Sequence, residues 1–154
     1  MYGSSPMSDL QQLVVRVNQH IPLTRHLQFR LECFENDQLT LTAPLAANIN
    51  DKGTMFAGSQ AALMALAGWC LTTLQAEQIL PKADVLAMQN SLRYQRPVTG
   101  DVRIVVTSQN DSLDRFRQKL TRGERAVLHI EARALNEDGG VASRYQGEYL
   151  ARPV

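Results

Sequence analysis

Residues 54–77, "TMFAGSQAALMALAGWCLTTLQAE", read as one helix with almost no polar face. A helix that is apolar all round must be covered on nearly every side. Its most apolar stretch, Met55 to Leu71, runs for 17 residues, short of the roughly 20 that span a bilayer. It also carries Ser59 and Gln60 and lies among alternating segments. We therefore expect a buried central helix and no membrane association. At 154 residues the chain is long enough to bury that helix within one domain, taken as residues 1–154.

The rest of the chain supplies the cover. Residues 8–20 read as an amphipathic helix with Ser8 as N-cap and Leu10, Leu13, Val14 and Val17 on one face, stopped by Pro22. Residues 27–34 alternate, with Leu27, Phe29, Leu31 and Cys33 facing one way. A turn at "END" leads into "QLTLTAPL", which alternates again and completes a hairpin. After the central helix come a long strand over 84–96, a strand with Val102, Ile104 and Val106 inward, and a strand over 124–135. "NEDGG" then turns the chain into a last strand, where Gly147 marks a bulge or a close approach. Hairpin-connected strands on either side of one helix predict an antiparallel α+β fold. One face of such a sheet must be covered, so a curved sheet of about six strands should wrap round helix 54–77. Residues 1–7 are expected to be partly disordered.

The net charge of +1 gives no global reason to bind nucleic acid or an anionic membrane. Cys33 and Cys70 lie far apart without a CxxC, which fits a reduced, cytoplasmic chain. The first ten residues lack a basic region followed by an apolar run, so they do not read as a signal peptide. His20, His26 and His129 show no metal-ligand spacing, and no metal is expected.

Two segments carry a family resemblance. "NDKGTMFAGSQAALMALAGW" resembles the Asn-x-x-Gly-Thr-x-His-Gly-Gly pattern, followed by a small-residue helix, of phenylacetyl-CoA-type thioesterases; Asn50, Gly53, Thr54 and Gly58 match. "YQRPVTGDVRIVV" resembles the Tyr-x-x-Pro-x-x-Gly-Asp segment of the same superfamily; Tyr94, Pro97, Gly100 and Asp101 match. The resemblance implies the hot-dog fold of acyl-CoA thioesterases and dehydratases. More narrowly, "PLAANINDKGTMFAGS" is similar to a small family of thioesterase-like domains that occur alone or fused behind an acetyltransferase domain. The chain departs from the broader pattern at Phe56, where relatives have His, and at Ala57, where they have Gly. Ala65 stands where the helix usually offers an acid, and helix 54–76 holds no carboxylate. A second subgroup, resembling 4-hydroxybenzoyl-CoA thioesterase, keeps an Asp in the loop at the spacing of Asn50 to Gly53.

The implied reaction is hydrolysis of an acyl-CoA or acyl-carrier-protein thioester. It needs a positioned water, a group to activate it and donors for the oxyanion. A helix start has unpaired N–H groups and a partial positive charge, so the backbone of Ala57 or Gly58 is the candidate oxyanion donor. Gly58 is also accounted for by close helix–sheet packing. Asn50 is a candidate to hold the water or the carbonyl, or simply a turn former. Asp51 is a candidate general base, or a solvated loop charge. Thr54, Phe56 and Ser59 lie at the same mouth, with capping preferred to nucleophilic roles for the two hydroxyls. Met64 and Trp69 line an acyl pocket or pack the core. Coenzyme A carries phosphates, so Arg93, Arg96, Arg115 and Arg122 are candidate anchors; an acidic carrier protein would use the same charges. No cofactor is expected beyond coenzyme A as part of the substrate. The resemblance implies a homodimer through the strand at 84–94, with a tetramer as the larger alternative. The competing readings are a hydratase or dehydratase, against which Phe56 argues, and a non-catalytic acyl-binding domain.

Overall fold

The computed structural model describes residues 7–154. Of the start expected to be disordered, residues 1–6 lie outside that range; Met7 lies inside it, and its carbonyl accepts a hydrogen bond from Gln12 Nε2. Helix α1 spans Asp9–His20 and opens on a reciprocal cap. The Ser8 hydroxyl accepts from the Gln11 N–H, and the Gln11 side chain accepts from the Ser8 N–H. Leu13 and Val17 are buried, with Leu10 and Val14 packed beside them.

The first strand starts later than the alternation implies. Leu27 ends a short helix α2 (Thr24–Leu27), and Gln28 turns the chain in the left-handed region at φ 54°. Strand β1 is Arg30–Glu35 and pairs with β2, Gln38–Ala43. Asn36 and Asp37 join them, both at positive φ, the backbone a tight right-twisted hairpin favours. The register slips between Leu31 and Cys33. Past that bulge the inward position passes from Cys33 to Phe34, which pairs with buried Leu39 and packs on the core.

A short 3-10 turn (Ala46–Asn48) leads to helix α3, Ala57–Ala76. Strands β3 (Ala83–Tyr94) and β4 (Val102–Ser108) follow, then helix α4 (Ser112–Thr121), β5 (Ala126–Leu135) and β6 (Val141–Pro153). The strands form one antiparallel sheet in the order β1-β2-β4-β5-β6-β3. Helix α3 packs against every strand from β2 across to β3, so the sheet wraps it. Leu63, Met64, Ala67, Cys70 and Leu71 are fully enclosed. Val102, Ile104 and Val106 of β4 are buried as expected, and in β5 the alternating Ala126, Leu128, Ile130, Ala132 and Ala134 are buried. No helix among the described residues is long and apolar enough to cross a membrane.

Candidate active site

Helix α3 begins at Ala57, three residues later than the helix expected from residue 54, because the backbone before it is committed elsewhere. Gly53 sits at φ 79°, a left-handed conformation that favours glycine. Ile49 and Met55 form an isolated bridge. The Met55 N–H donates to Val98 O at 2.9 Å, and the Phe56 N–H donates to Asn48 O at 2.8 Å. The Thr54 carbonyl, which a helix starting there would need as an acceptor, is taken by Asn50 N–H, and Phe56 is extended at ψ 132°, so the first intrahelical bond runs from Gln60 N–H to Phe56 O.

The N–H groups of Ala57, Gly58 and Ser59 therefore have no partner among the described residues. Phe56 is the N-cap residue and supplies no side-chain cap, so neither Thr54 nor Ser59 caps the helix. Ala57 and Gly58 are exposed and Ser59 is half-buried. The Phe56 ring, 57% exposed, lies over Gly58; a side-chain carbon at Gly58 would collide with it. This glycine thus makes room for Phe56.

Asn50 organises the loop. Its Oδ1 accepts from Lys52 N–H at 2.8 Å and Thr54 N–H at 3.0 Å, and its Nδ2 donates to Thr54 Oγ1 at 2.9 Å. Asp51 points to solvent with its side chain 81% exposed and pairs with Lys52 Nζ at 3.2 Å.

The two segments that carry the family resemblance meet at this mouth. Tyr94, at the end of β3, donates its hydroxyl to Ala57 O at 2.9 Å. Met55 is bonded to Val98, as above. Asp101 Oδ1 accepts from Leu45 N–H, and Asn136 bridges the loop by bonding Pro97 O and Thr99 N–H. Asn48, not singled out from the sequence, is a buried clamp. Its Nδ2 donates to Leu27 O and Pro44 O, while its backbone carbonyl holds Phe56. No local pattern marks it, because its partners are 4 and 21 residues away. Tyr94 did carry a signal, its place in the motif.

Other candidate residues lie elsewhere. Met64 is wholly inside the core. Trp69 is half-buried and donates Nε1–H to Val85 O. Arg115 and Arg122 belong to α4 and its C-cap, and Arg122 pairs with Glu124. Helix α4 sits toward the far end of α3, where Arg117 bonds Gln75 and Asp37. Gln75 is about 27 Å along the helix axis from Ala57. Within one chain, α4 therefore lies at the opposite end of α3 from the mouth. Arg93 and Arg96 flank the Tyr94 end of β3 and are exposed.

At Ala65, where relatives carry an acid, the backbone carbonyl accepts from the Tyr149 hydroxyl at 2.7 Å. Tyr149 spends its proton there, so it accepts from Tyr145 at 2.8 Å. Burial pushes both phenols above their usual range, and it pushes the Cys70 thiol up to about 12. These groups stay protonated at neutral pH and supply no base.

Comparison with known proteins now settles the family. The family model described as "Putative thioesterase (yiiD_Cterm)" matches residues 10–153. The chain belongs to this thioesterase family. A Shewanella oneidensis structure described as a "putative thioesterase" is similar at 30% identity and TM-score 0.81, over 94% of this chain and 97% of that one. A Pseudomonas aeruginosa structure described as a "probable thioesterase" shares 26% identity at TM-score 0.75, over 97% and 99%. A Haemophilus influenzae thioesterase, at 17% identity and TM-score 0.75 over 96% and 93%, shares the fold. The hot-dog architecture of this family is the sheet-wrapped helix described above.

Proposed function

We propose that this member of the thioesterase family hydrolyses acyl thioesters of coenzyme A or of a carrier protein, working as a homodimer. The observation that carries the reading is the row of three unpartnered N–H groups at Ala57, Gly58 and Ser59, held open where the two family segments converge. A thioester carbonyl oxygen seated on the Ala57 and Gly58 N–H groups would gain stabilisation as it becomes an oxyanion. Water then attacks the carbonyl carbon, the C–S bond breaks, and the thiolate leaves. Asp51, the carboxylate of this loop, accepts the water proton and returns it to the leaving sulfur. Phe56, Thr54 and Ser59 frame the approach, and Asn50 keeps the loop in shape.

A panel of acyl-CoA esters with colorimetric detection of free thiol tests the activity. Asp51→Asn should lower kcat at least ~100-fold; near-normal turnover removes Asp51 as base while leaving the activity standing. A second reading, acyl binding without hydrolysis, is favoured by the absence of any carboxylate on α3 and the solvent-facing Asp51. Tight acyl-CoA binding with no thiol release across the panel would select it. The homodimer is supported by β3, whose outer edge is unpaired in the sheet order.

A further inference from the structure

The outer face of the sheet, away from α3, carries a feature that the helix-mouth chemistry leaves unused. The strand registers place Arg93 of β3 opposite Arg144 of β6, and Arg144 opposite Arg133 of β5. Three arginines thus stand side by side across three neighbouring strands, about 4.8 Å apart from strand to strand. All three are exposed. None pairs with an acid or donates a side-chain hydrogen bond among the described residues. Glu131, in the adjoining row opposite Gln146, does not pair with them either. Depressions of about 460 and 220 Å³ flank the row, one lined by Arg93, Gln95 and Arg144, the other by Arg133, Arg144 and Thr107 with Glu131 at its side. Arg96 reaches Gly140 close by.

Like charges placed directly opposite on adjacent strands destabilise a sheet. Neutral residues would serve the fold better at these positions, so the row calls for an anion. Arg forks suit phosphate, and three forks on a rigid sheet suit a compact cluster of phosphates. Position adds to this. Arg93 is the chain neighbour of Tyr94, whose hydroxyl touches the first turn of α3, so the row begins one residue from the strand end that borders the mouth.

We infer that the Arg93–Arg144–Arg133 row is an anion site that anchors the phosphate-bearing nucleotide end of coenzyme A, while the pantetheine arm runs round the Tyr94 end of β3 to the helix mouth. This rests on the thioesterase reading for its substrate class, but its test does not need turnover. Calorimetric titration with coenzyme A itself is the measurement. Arg133→Gln/Arg144→Gln should raise the Kd at least ~10-fold, and Arg133→Lys/Arg144→Lys should recover part of the loss. Unchanged secondary structure, with a melting temperature equal to or above the parent's, would show that the Gln variant folds. An equal Kd for parent and Gln variant overturns the inference. So does a parent that binds no coenzyme A, or a variant that loses an acidic acyl-carrier protein while keeping coenzyme A. Loss of coenzyme A binding in a protein that hydrolyses nothing would uphold the row and defeat the hydrolase reading instead.

Discussion

At the scale of single residues, the position of Gly68 is set by a tyrosine. A Cβ at Gly68 would stand 2.5 Å from the Tyr149 ring and hydroxyl, and Tyr149 is held by its bond to Ala65 O. Gly147 makes similar room between Tyr145 and Tyr149. A buried ring anchored at its tip cannot swing aside, so Gly68→Ala should destabilise the protein by about 1–3 kcal/mol through overpacking. The better helix propensity of Ala, worth up to about 1 kcal/mol, offsets only part of this. A urea midpoint equal to the parent's would refute it. Gly58 differs, because its neighbour is the far end of the exposed Phe56 ring, which can move. The sequence shows two glycines in one apolar helix and cannot tell these cases apart, since Tyr149 is 81 residues beyond Gly68. The same holds across the candidate site. Asn50, Gly53 and Tyr94 were legible as a motif, whereas Asn48 and the arginine row depend on pairings between distant segments.

At the scale of elements, strand β3 is the longer of the sheet's two edges. It spans 12 residues and pairs only with β6. Leu86 and Met88 are 42% and 55% exposed on it. A long open edge with apolar side chains is a template for pairing with another strand, and a second copy of β3 offers a matching edge. Leu86→Lys/Met88→Lys should convert a dimer to monomer, read by light scattering behind a sizing column, with the far-ultraviolet spectrum unchanged. A parent that is already monomeric at tens of micromolar would refute the pairing. The elements themselves were largely legible, because α1, β4, β5 and β6 follow simple helical or two-residue periodicity. The misplacements have local causes that periodicity does not carry. The bulge after Leu31 moved the inward position from Cys33 to Phe34, and the left-handed Gln28 left Leu27 in a helix. Tertiary bonds to Asn48 and Val98 held Met55 and Phe56 out of α3. Helix α4 buries Leu113, Phe116 and Leu120 at helical spacing, while its distance from the helix mouth is a matter of topology.

At the scale of the whole molecule, wrapping a sheet round one helix seals ionisable groups inside it. Cys70, Tyr145 and Tyr149 all lie in that interior, and burial raises all three. The sign follows from proton linkage. Above pH 9 the unfolded Cys70 thiol, at its ordinary 9.0, gives up a proton that the folded thiol, raised to about 12, retains. The folded state then binds more protons than the unfolded state, so stability is full below pH 9 and falls as pH rises beyond it. Between pH 8 and 9.5 Cys70 alone should cost on the order of 1 kcal/mol, before the tyrosines, with an ordinary value of 10.0, join in the same direction. Cys70→Ala lowers stability at every pH by leaving a cavity, so the slope is the readout, not the level. Urea midpoints from pH 8 to 9.5 should decline in the parent and flatten in the variant. Equal slopes would mean that the thiol at the centre of α3 ionises as freely in the folded chain as in the unfolded one, and that the sheet does not keep water from the middle of the helix it wraps.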